Sequence, residues 1–172
     1  KAIAEQMALA SNSEVLKTCA IRPHLVWGPG DPHLVPRLIE KGLKRQLKQV
    51  GSGKNMVDIS YIDNVADAHI LAADNLNSTA TAAGNAYFVS QGKPVNLWDW
   101  INDLYKRLDI PLINKKVGEV PAYMVGTFLE GIYMWFGISG EPRMTRFLAE
   151  QLAKSHWFSI SRARRDLGYK PR

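Results

Sequence analysis

Ten residues combine the types and spacing that could bring a ligand against bare backbone: Arg22-Pro23-His24-Leu25-Val26-Trp27-Gly28-Pro29-Gly30-Asp31. An apolar run over 16–21 reads as a short strand. Pro23 stops it, because proline donates no ladder hydrogen bond. The backbone then emerges at the strand's carboxyl end, where open α/β sheets bind their ligands. Gly28 and Gly30 lack a Cβ and let the main chain approach a bound group. Taken alone, the same residues favour an ordinary Gly/Pro turn between strand and helix, because such turn signals are common. Metal chemistry has less to stand on. His24, His33, His69 and His156 are scattered and share no ligand spacing with Cys19, so no metal site is expected. His69 reads as a side chain packed on its own helix rather than as a base.

The chain has 172 residues, 46% hydrophobic and 22% charged, which is long enough for one domain with a core and typical of a globular protein. A single cysteine, Cys19, allows no internal disulfide and fits a reducing compartment. The opening residues carry Glu5 and do not resemble a signal peptide. A cytoplasmic protein is expected, with membrane association as the variant. The net charge is +6, and the basic clusters at 41–48 and 162–172 sit at helical spacing among apolar residues, as solvated faces do. No zinc or RNP motif accompanies them, so no nucleic-acid partner is expected. Such faces also suit anionic cofactors or a membrane surface.

Periodicity supplies the elements that must hold these residues. Helices are expected over 1–11, where Ala2, Ile3, Met7 and Ala10 form a stripe, and over 34–48, with Pro36 in the first turn and Leu38, Ile39 and Leu43 buried. Met56, Asp58 and Ser60 should share one face of a strand over 56–62, and Val57, Ile59 and Tyr61 the other. Asp63 or Asn64 should cap a helix to Leu76 that has Val65, Ala68, His69 and Ala72 at core spacing. A strand over 86–90 and a helix from Asn96 to Leu108 follow, with Asn96 as N-cap and Asp99 at its third position. Residues 112–120 read as extended. Residues 121–138 are the most apolar segment, with Glu130 as the only charge. A helix over an apolar cavity or a buried helix is expected there, ahead of a monotopic membrane contact suited to Tyr123, Tyr133 and Trp135. A helix over 143–154 and a last one capped by Ser161 and stopped by Gly168 complete the chain. Strands alternating with helices argue for an α/β fold.

Four stretches together resemble one family. The segment from Arg22 to Asp31 is similar to the Arg-Pro-x-x-Val-Tyr/Trp-Gly-Pro-Gly loop of extended short-chain dehydrogenases. Tyr61-Ile62-Asp63-Asn64-Val65-Ala66-Asp67-Ala68-His69 resembles their later strand-to-helix signature. Lys1-Ala2-Ile3-Ala4-Glu5 resembles the residues from the lysine of the Tyr-x-x-x-Lys motif onward, and the end of the chain resembles their Leu-Gly-Tyr-x-Pro terminus. The similarity is strongest to the 3β-hydroxysteroid and sterol-4-carboxylate dehydrogenases, with bacterial β-keto-acid reductases near them. The family's Gly-x-x-Gly-x-x-Gly loop and catalytic tyrosine are absent. The resemblance therefore implies the C-terminal part of an extended Rossmann-type enzyme. Residues 1–172 would form a single fragment in which the remainder of the dinucleotide-binding sheet is interleaved with a mostly helical substrate-binding part, inactive alone.

The resemblance also implies roles. A free tyrosine with a pKa near 10 is a poor proton donor or acceptor at neutral pH, and an ammonium one helical turn on lowers it. Lys1 would supply that charge and also bond the ribose of NAD or NADP. Pro23, His24, Leu25 and Val26 would hold the nicotinamide carboxamide through backbone groups. Trp27, Pro29, Met124 and Trp135 would form a flat apolar surface for a small apolar substrate. Val57 stands where sugar-nucleotide epimerases of the family tend to carry an arginine for the substrate diphosphate, a contact valine cannot make. The implied activity is NAD(P)-dependent oxidation or reduction of a sterol-like or long-chain β-keto-acid substrate. A nucleotide-sugar epimerase or dehydratase and a non-enzymatic fragment are the alternatives. A homodimer and a peripheral membrane contact through 121–138 are compatible with this reading.

Overall fold

Short strands and helices are interleaved along the chain. The computed structural model describes residues 1–172. In order, the elements are α1 (Ala2–Ala10), β1 (Ala20–Pro23), β2 (Val26–Trp27), α2 (Leu34–Leu43), β3 (Gln49–Val50), β4 (Met56–Val57), β5 (Ser60–Tyr61), α3 (Ile62–Asn77), β6 (Ala86–Val89), β7 (Val95–Asn96), α4 (Leu97–Arg107), β8 (Lys116–Val117), α5 (Glu119–Trp135), α6 (Arg146–Ala153) and α7 (Ser161–Leu167). The pairs β1–β6, β2–β5 and β3–β8 are parallel, and β4–β7 is antiparallel. Parallel neighbours need long crossover connections, which the helices supply. The chain divides into two compact units: Lys1–Leu34, Asp58–Pro94 and Phe158–Arg172 form the first, and Val35–Val57 and Val95–Trp157 the second.

The first unit packs α3 and α7 on the β1–β6 pair. Tyr87 and Val89 of β6 are buried with Ala68 and Ala72 of α3 and with Ile160, Ala163 and Leu167 around α7. Alanine at the helix positions lets backbones approach, so the large Tyr87 and Tyr169 fill the space between them. Cys19 packs, half-buried, against this core. Strand β1 starts at Ala20, four residues later than expected. Before it, Asn12 accepts from the Thr18 N–H and the Thr18 hydroxyl donates to the Ala8 carbonyl, which ties this stretch to the end of α1. Pro23 closes β1 opposite Val89. The continuous strand expected over 56–62 is two short ones. Val57 pairs with Val95, whereas Ser60 pairs with Val26, and the division between units falls at Asp58.

Neither Asp63 nor Asn64 caps α3, whose N-cap is Tyr61 with no side-chain bond. Asn64 is buried and exchanges two hydrogen bonds with the Arg172 main chain, at 3.0 and 3.2 Å. Ser161 likewise lies inside α7, and its N–H is taken by the Ser159 hydroxyl. Gly168 does supply the left-handed stop, at φ 67°. His69 is exposed and its Nδ1 sits 2.7 Å from the Val65 carbonyl, so it lies along its own helix. Ile3 and Met7 of α1 are exposed rather than part of a core.

In the second unit, Asn96 caps α4 as expected, accepting from the N–H groups of Trp98 and Asp99. Leu97, Trp98, Ile101 and Tyr105 form its buried side. Helix α2 stops at Leu43, short of residue 48. The Gln46 N–H reaches back to the Lys41 carbonyl and the Arg45 N–H to Gly42, a Schellman closure that holds Arg45 at φ 51°. Leu43 is therefore exposed. Gly42 is indispensable to the packing of α2 on α4, since a Cβ there would lie 2.6 Å from Tyr105 Cζ. Residues 112–120 are extended only through β8, because α5 already begins at Glu119. Helix α5 buries only Ala122 and Gly126, where it meets α6. The expected buried or cavity-covering helix is thus an exposed one. No helix is long and apolar enough to cross a membrane.

Candidate functional site

Arg22 is the last residue of β1 before Pro23, and its guanidinium clasps the Glu5 carboxylate, with Nε 2.7 Å from Oε2. Glu5 lies one turn into α1, and its N–H donates to the Lys1 carbonyl at 3.0 Å. A chain of two bonds thus brings the start of α1, where Lys1 is exposed, to the carboxyl end of β1, where the Pro23 loop begins. Arg22 holds the Glu5 carboxyl below its ordinary value chiefly by that hydrogen bond, against a smaller opposing effect of desolvation. A carboxyl depressed in the folded state stabilises it above the ordinary pKa, and that contribution disappears as pH falls through the lowered value. Protection of the α1 amides, corrected for intrinsic exchange, should therefore drop below about pH 4.5 and become insensitive to pH in Glu5→Gln. Equal protection of α1 on both sides of that window would show that another contact docks the helix.

The loop itself is shaped from within. Ser60 Oγ lies 2.7 Å from the His24 carbonyl and 3.1 Å from that of Val89, and accepts from the His24 N–H at 3.3 Å. The Leu25 carbonyl accepts from the Ser60 N–H. Leu25 is held at φ 43°, a left-handed conformation unusual for a branched residue. Two of the four residues expected to offer their backbone to a cofactor thus spend part of it on Ser60. Pro23 is exposed, and His24, Leu25 and Val26 are half-buried.

Behind the loop stands an aromatic brace. His24 Nδ1 is 3.2 Å from the Asp58 carbonyl, and the Asp58 carboxylate accepts from the Phe158 N–H at 2.6 Å. Phe158 stacks on Phe88 with centroids 4.1 Å apart and meets the His24 ring edge-on at 5.6 Å. Arg22 lies over the other partner, 5.0 Å from the Phe88 centroid. Asp58, Ser60, Phe88 and Phe158 were not singled out from the sequence. Two polar residues in an otherwise apolar strand were the available signal for the first pair; Phe158 gave none.

Beyond the loop, Trp27, Pro29, His33 and Ile62 line an apolar cavity of about 320 Å³. Trp27 meets Tyr61 edge-on at 5.2 Å. Gly28 is required here: at φ 149°, a Cβ would lie 2.5 Å from Ile62 Cγ2. Lys1, Pro23, His24, Leu25, Val26, Trp27 and Pro29 therefore all fall in the first unit. Val57, Met124 and Trp135 belong to the second. Val57, offered from the sequence as a substrate-binding position, is completely buried between β7 and His156 and presents no surface to a substrate. Met124 and Trp135 project from α5, 65% and 86% exposed, and build no pocket wall of the kind expected. Burial pushes Tyr105 and Tyr169 up to about 12, so neither suits proton transfer near neutral pH. Burial also pushes the Cys19 thiol up, which disfavours its nucleophilic form.

The sequence profile of the 3-beta hydroxysteroid dehydrogenase/isomerase family matches residues 1–118. A 2-alkyl-3-oxoalkanoate reductase of Stenotrophomonas maltophilia is 47% identical over 171 residues, covering 99% of this chain and 52% of that protein. A decarboxylating sterol-4-alpha-carboxylate 3-dehydrogenase of Schizosaccharomyces pombe is 35% identical, over 99% of this chain and 51% of its own length. The crystal structure of gox2253 superposes with a TM-score of 0.65 at 26% identity, covering 98% of this chain and 49% of that one. The chain spans about half the length of the curated relatives it matches.

Proposed function

This chain belongs to the 3-beta hydroxysteroid dehydrogenase/isomerase family, and we propose that it forms the C-terminal, substrate-facing half of an NAD- or NADP-dependent oxidoreductase. The substrate is a sterol-like molecule or a long-chain β-keto acid, whose hydroxyl and carbonyl forms are interconverted. The observation that carries this reading is the Arg22–Glu5 pair, which brings the helix headed by Lys1 to the mouth of the Pro23 loop. The activities named for the relatives from Stenotrophomonas maltophilia and Schizosaccharomyces pombe support the reaction class.

The residues present fit the nicotinamide end of such a cofactor. A parallel strand ends at an exposed proline, beside a loop whose shape is fixed from behind by Ser60 and Asp58. Pro23 and Val26 would hold the carboxamide edge. The bound nicotinamide supplies or accepts the hydride. Lys1 would place a positive charge one helical turn from the tyrosine of a Tyr-x-x-x-Lys motif, would lower that phenol's pKa and would bond the ribose. Trp27, Pro29 and Ile62 exclude water and pack the apolar body of the substrate. Val57 offers no charge for the diphosphate of a nucleotide sugar.

The test uses the full-length protein with NADH or NADPH and a 2-alkyl-3-oxo acid, and with NAD or NADP and a 3β-hydroxysteroid. Turnover of one of these, and none of a nucleotide sugar, is expected. The isolated 172-residue chain should turn over neither. Turnover of a UDP-sugar, or a full-length protein that binds no nicotinamide cofactor, would overturn the assignment.

A further inference from the structure

Helix α3 opens without a side-chain cap: Tyr61 stands at its N-cap position and makes no capping bond. The first N–H groups of a helix have no partner within it and need one from elsewhere. In a capping box, the side chain at the third helical position reaches back to the N-cap N–H. Asn64 holds that position, but its amide is turned to Gln91 and to the Arg172 main chain. Gln91, just past β6, takes over the missing role. Its Oε1 accepts from the Tyr61 N–H at 3.2 Å and from Asn64 Nδ2 at 2.7 Å. Its own N–H donates to the Ile59 carbonyl at 3.0 Å, and its Nε2 donates to the Arg172 carbonyl at 2.9 Å. One residue thus clamps β5, the head of α3 and the segment at Arg172 to the end of β6. Two more contacts anchor that segment: the Tyr169 hydroxyl donates to the Ser90 carbonyl at 3.0 Å, and the Arg172 guanidinium pairs with Asp67 at 2.6 Å.

What the clamp holds is a cavity wall. Tyr61 meets Trp27 edge-on, and Ile62 lines the apolar cavity with Trp27 and Pro29. A Cβ on Gly28 would lie 2.5 Å from Ile62 Cγ2 and 3.3 Å from Tyr61 Cε2, so wall and loop pack in direct contact. Gln91, Asn64 and Arg172 do not line the cavity, so they can reach a ligand only through Tyr61 and Ile62.

We propose that Gln91 is a positioning residue that sets the width of this cavity, and with it the size of the apolar group the protein accepts. The proposal deepens the oxidoreductase reading and rests on it for the statement that substrate occupies the cavity. Releasing Tyr61 would let Ile62 shift, and the cavity would lose the fit that favours a bulky apolar body over a small one.

The test uses the full-length protein and two variants. Gln91→Met keeps the volume and removes the side-chain bonds. Gln91→Glu keeps acceptor oxygens for Tyr61 and Asn64 and gives up only the donor to Arg172. Amide exchange is read first. The Tyr61 N–H should be protected in the unaltered protein and exchange roughly tenfold faster in Gln91→Met, with the Ser60 N–H, which donates to the Leu25 carbonyl, unchanged. Turnover is read second, on the 2-alkyl-3-oxo acid or 3β-hydroxysteroid that the protein accepts and on a small analogue carrying the same reacting group. Gln91→Met should raise KM for the full-sized substrate roughly five- to tenfold, with kcat, the cofactor KM and the small analogue's KM changed by less than about twofold. Gln91→Glu should restore both the protection and the KM. An unchanged KM in Gln91→Met, equal losses on the two substrates, equal losses in the two variants, or a Tyr61 N–H that exchanges freely in the unaltered protein overturns the proposal. If the protein turns over no such substrate, the oxidoreductase reading fails by itself, and exchange at Tyr61 still decides whether Gln91 holds the wall. Should Gln91→Met not fold, free exchange at Tyr61 in the unaltered protein or in Gln91→Glu overturns the proposal, and protection in both supports it.

Discussion

Replacing Lys1 with methionine in the full-length protein should lower turnover by about 10²- to 10⁴-fold, the range a positioned proton-transfer system contributes. Lys1 is exposed and heads α1 without a side-chain bond to it, so the fold should not notice the change. Two effects are expected together. The pH profile should shift upward, because the phenol of the proposed Tyr-x-x-x-Lys motif would lose the charge that depresses its pKa. The cofactor KM should rise as the ribose contact is lost. Arginine should restore the charge without the compact ammonium, and so rescue the pH profile more than the KM. Wild-type turnover in Lys1→Met, or a coding sequence with no tyrosine four residues before Lys1, would remove Lys1 from the chemistry.

The second large effect is expected at Asp58. Its carboxylate is 2% exposed and accepts the Phe158 N–H, and through that residue it fixes the stack on Phe88 and the edge contact to His24. Hydrogen bonds to charged groups contribute about 1.5–3 kcal/mol. Asp58→Ala should therefore lower the melting temperature by roughly 3–10 °C for a protein of this size. In the full-length protein it should also raise the cofactor KM, because the brace behind the Pro23 loop goes with it. Asn keeps an acceptor oxygen and should recover most of both. Calorimetry and cofactor titration on the Ala and Asn variants separate the alternatives: if both lose equally, the brace does not work through the Phe158 N–H.

What was legible in the sequence is what local physics decides. Asn96 caps α4 because its side chain needs only the next three residues, and Gly168 stops α7 because a left-handed residue there needs no partner at all. The Pro23 loop was legible because proline ends a ladder wherever the strand runs. Features that depend on distant chain were not. Asn64 has the composition of a cap, yet its amide is claimed by Arg172, 108 residues on. The strand near Cys19 began late because Asn12 and Ala8 had already taken Thr18. Apolarity in α5 indicated that it should be covered, and carried no information on whether protein does the covering. Of the residues singled out from the sequence, Trp27 and Pro29 line the cavity beside the Pro23 loop. The brace was missed because Asp58 and Phe158 meet only after a hundred intervening residues.

The polypeptide enters the first compact unit three times and leaves it twice. During biosynthesis, all of residues 35–57 and 95–157 are therefore available to each other before residues 158–172 have left the ribosome. Until then Tyr87 and Val89 lack Ile160, Ala163, Leu167 and Tyr169, the residues that finally enclose them. The nascent chain carries that open aromatic seam from the synthesis of Val89 until Ile160 to Tyr169 emerge, and this is the interval in which a chaperone would be most needed.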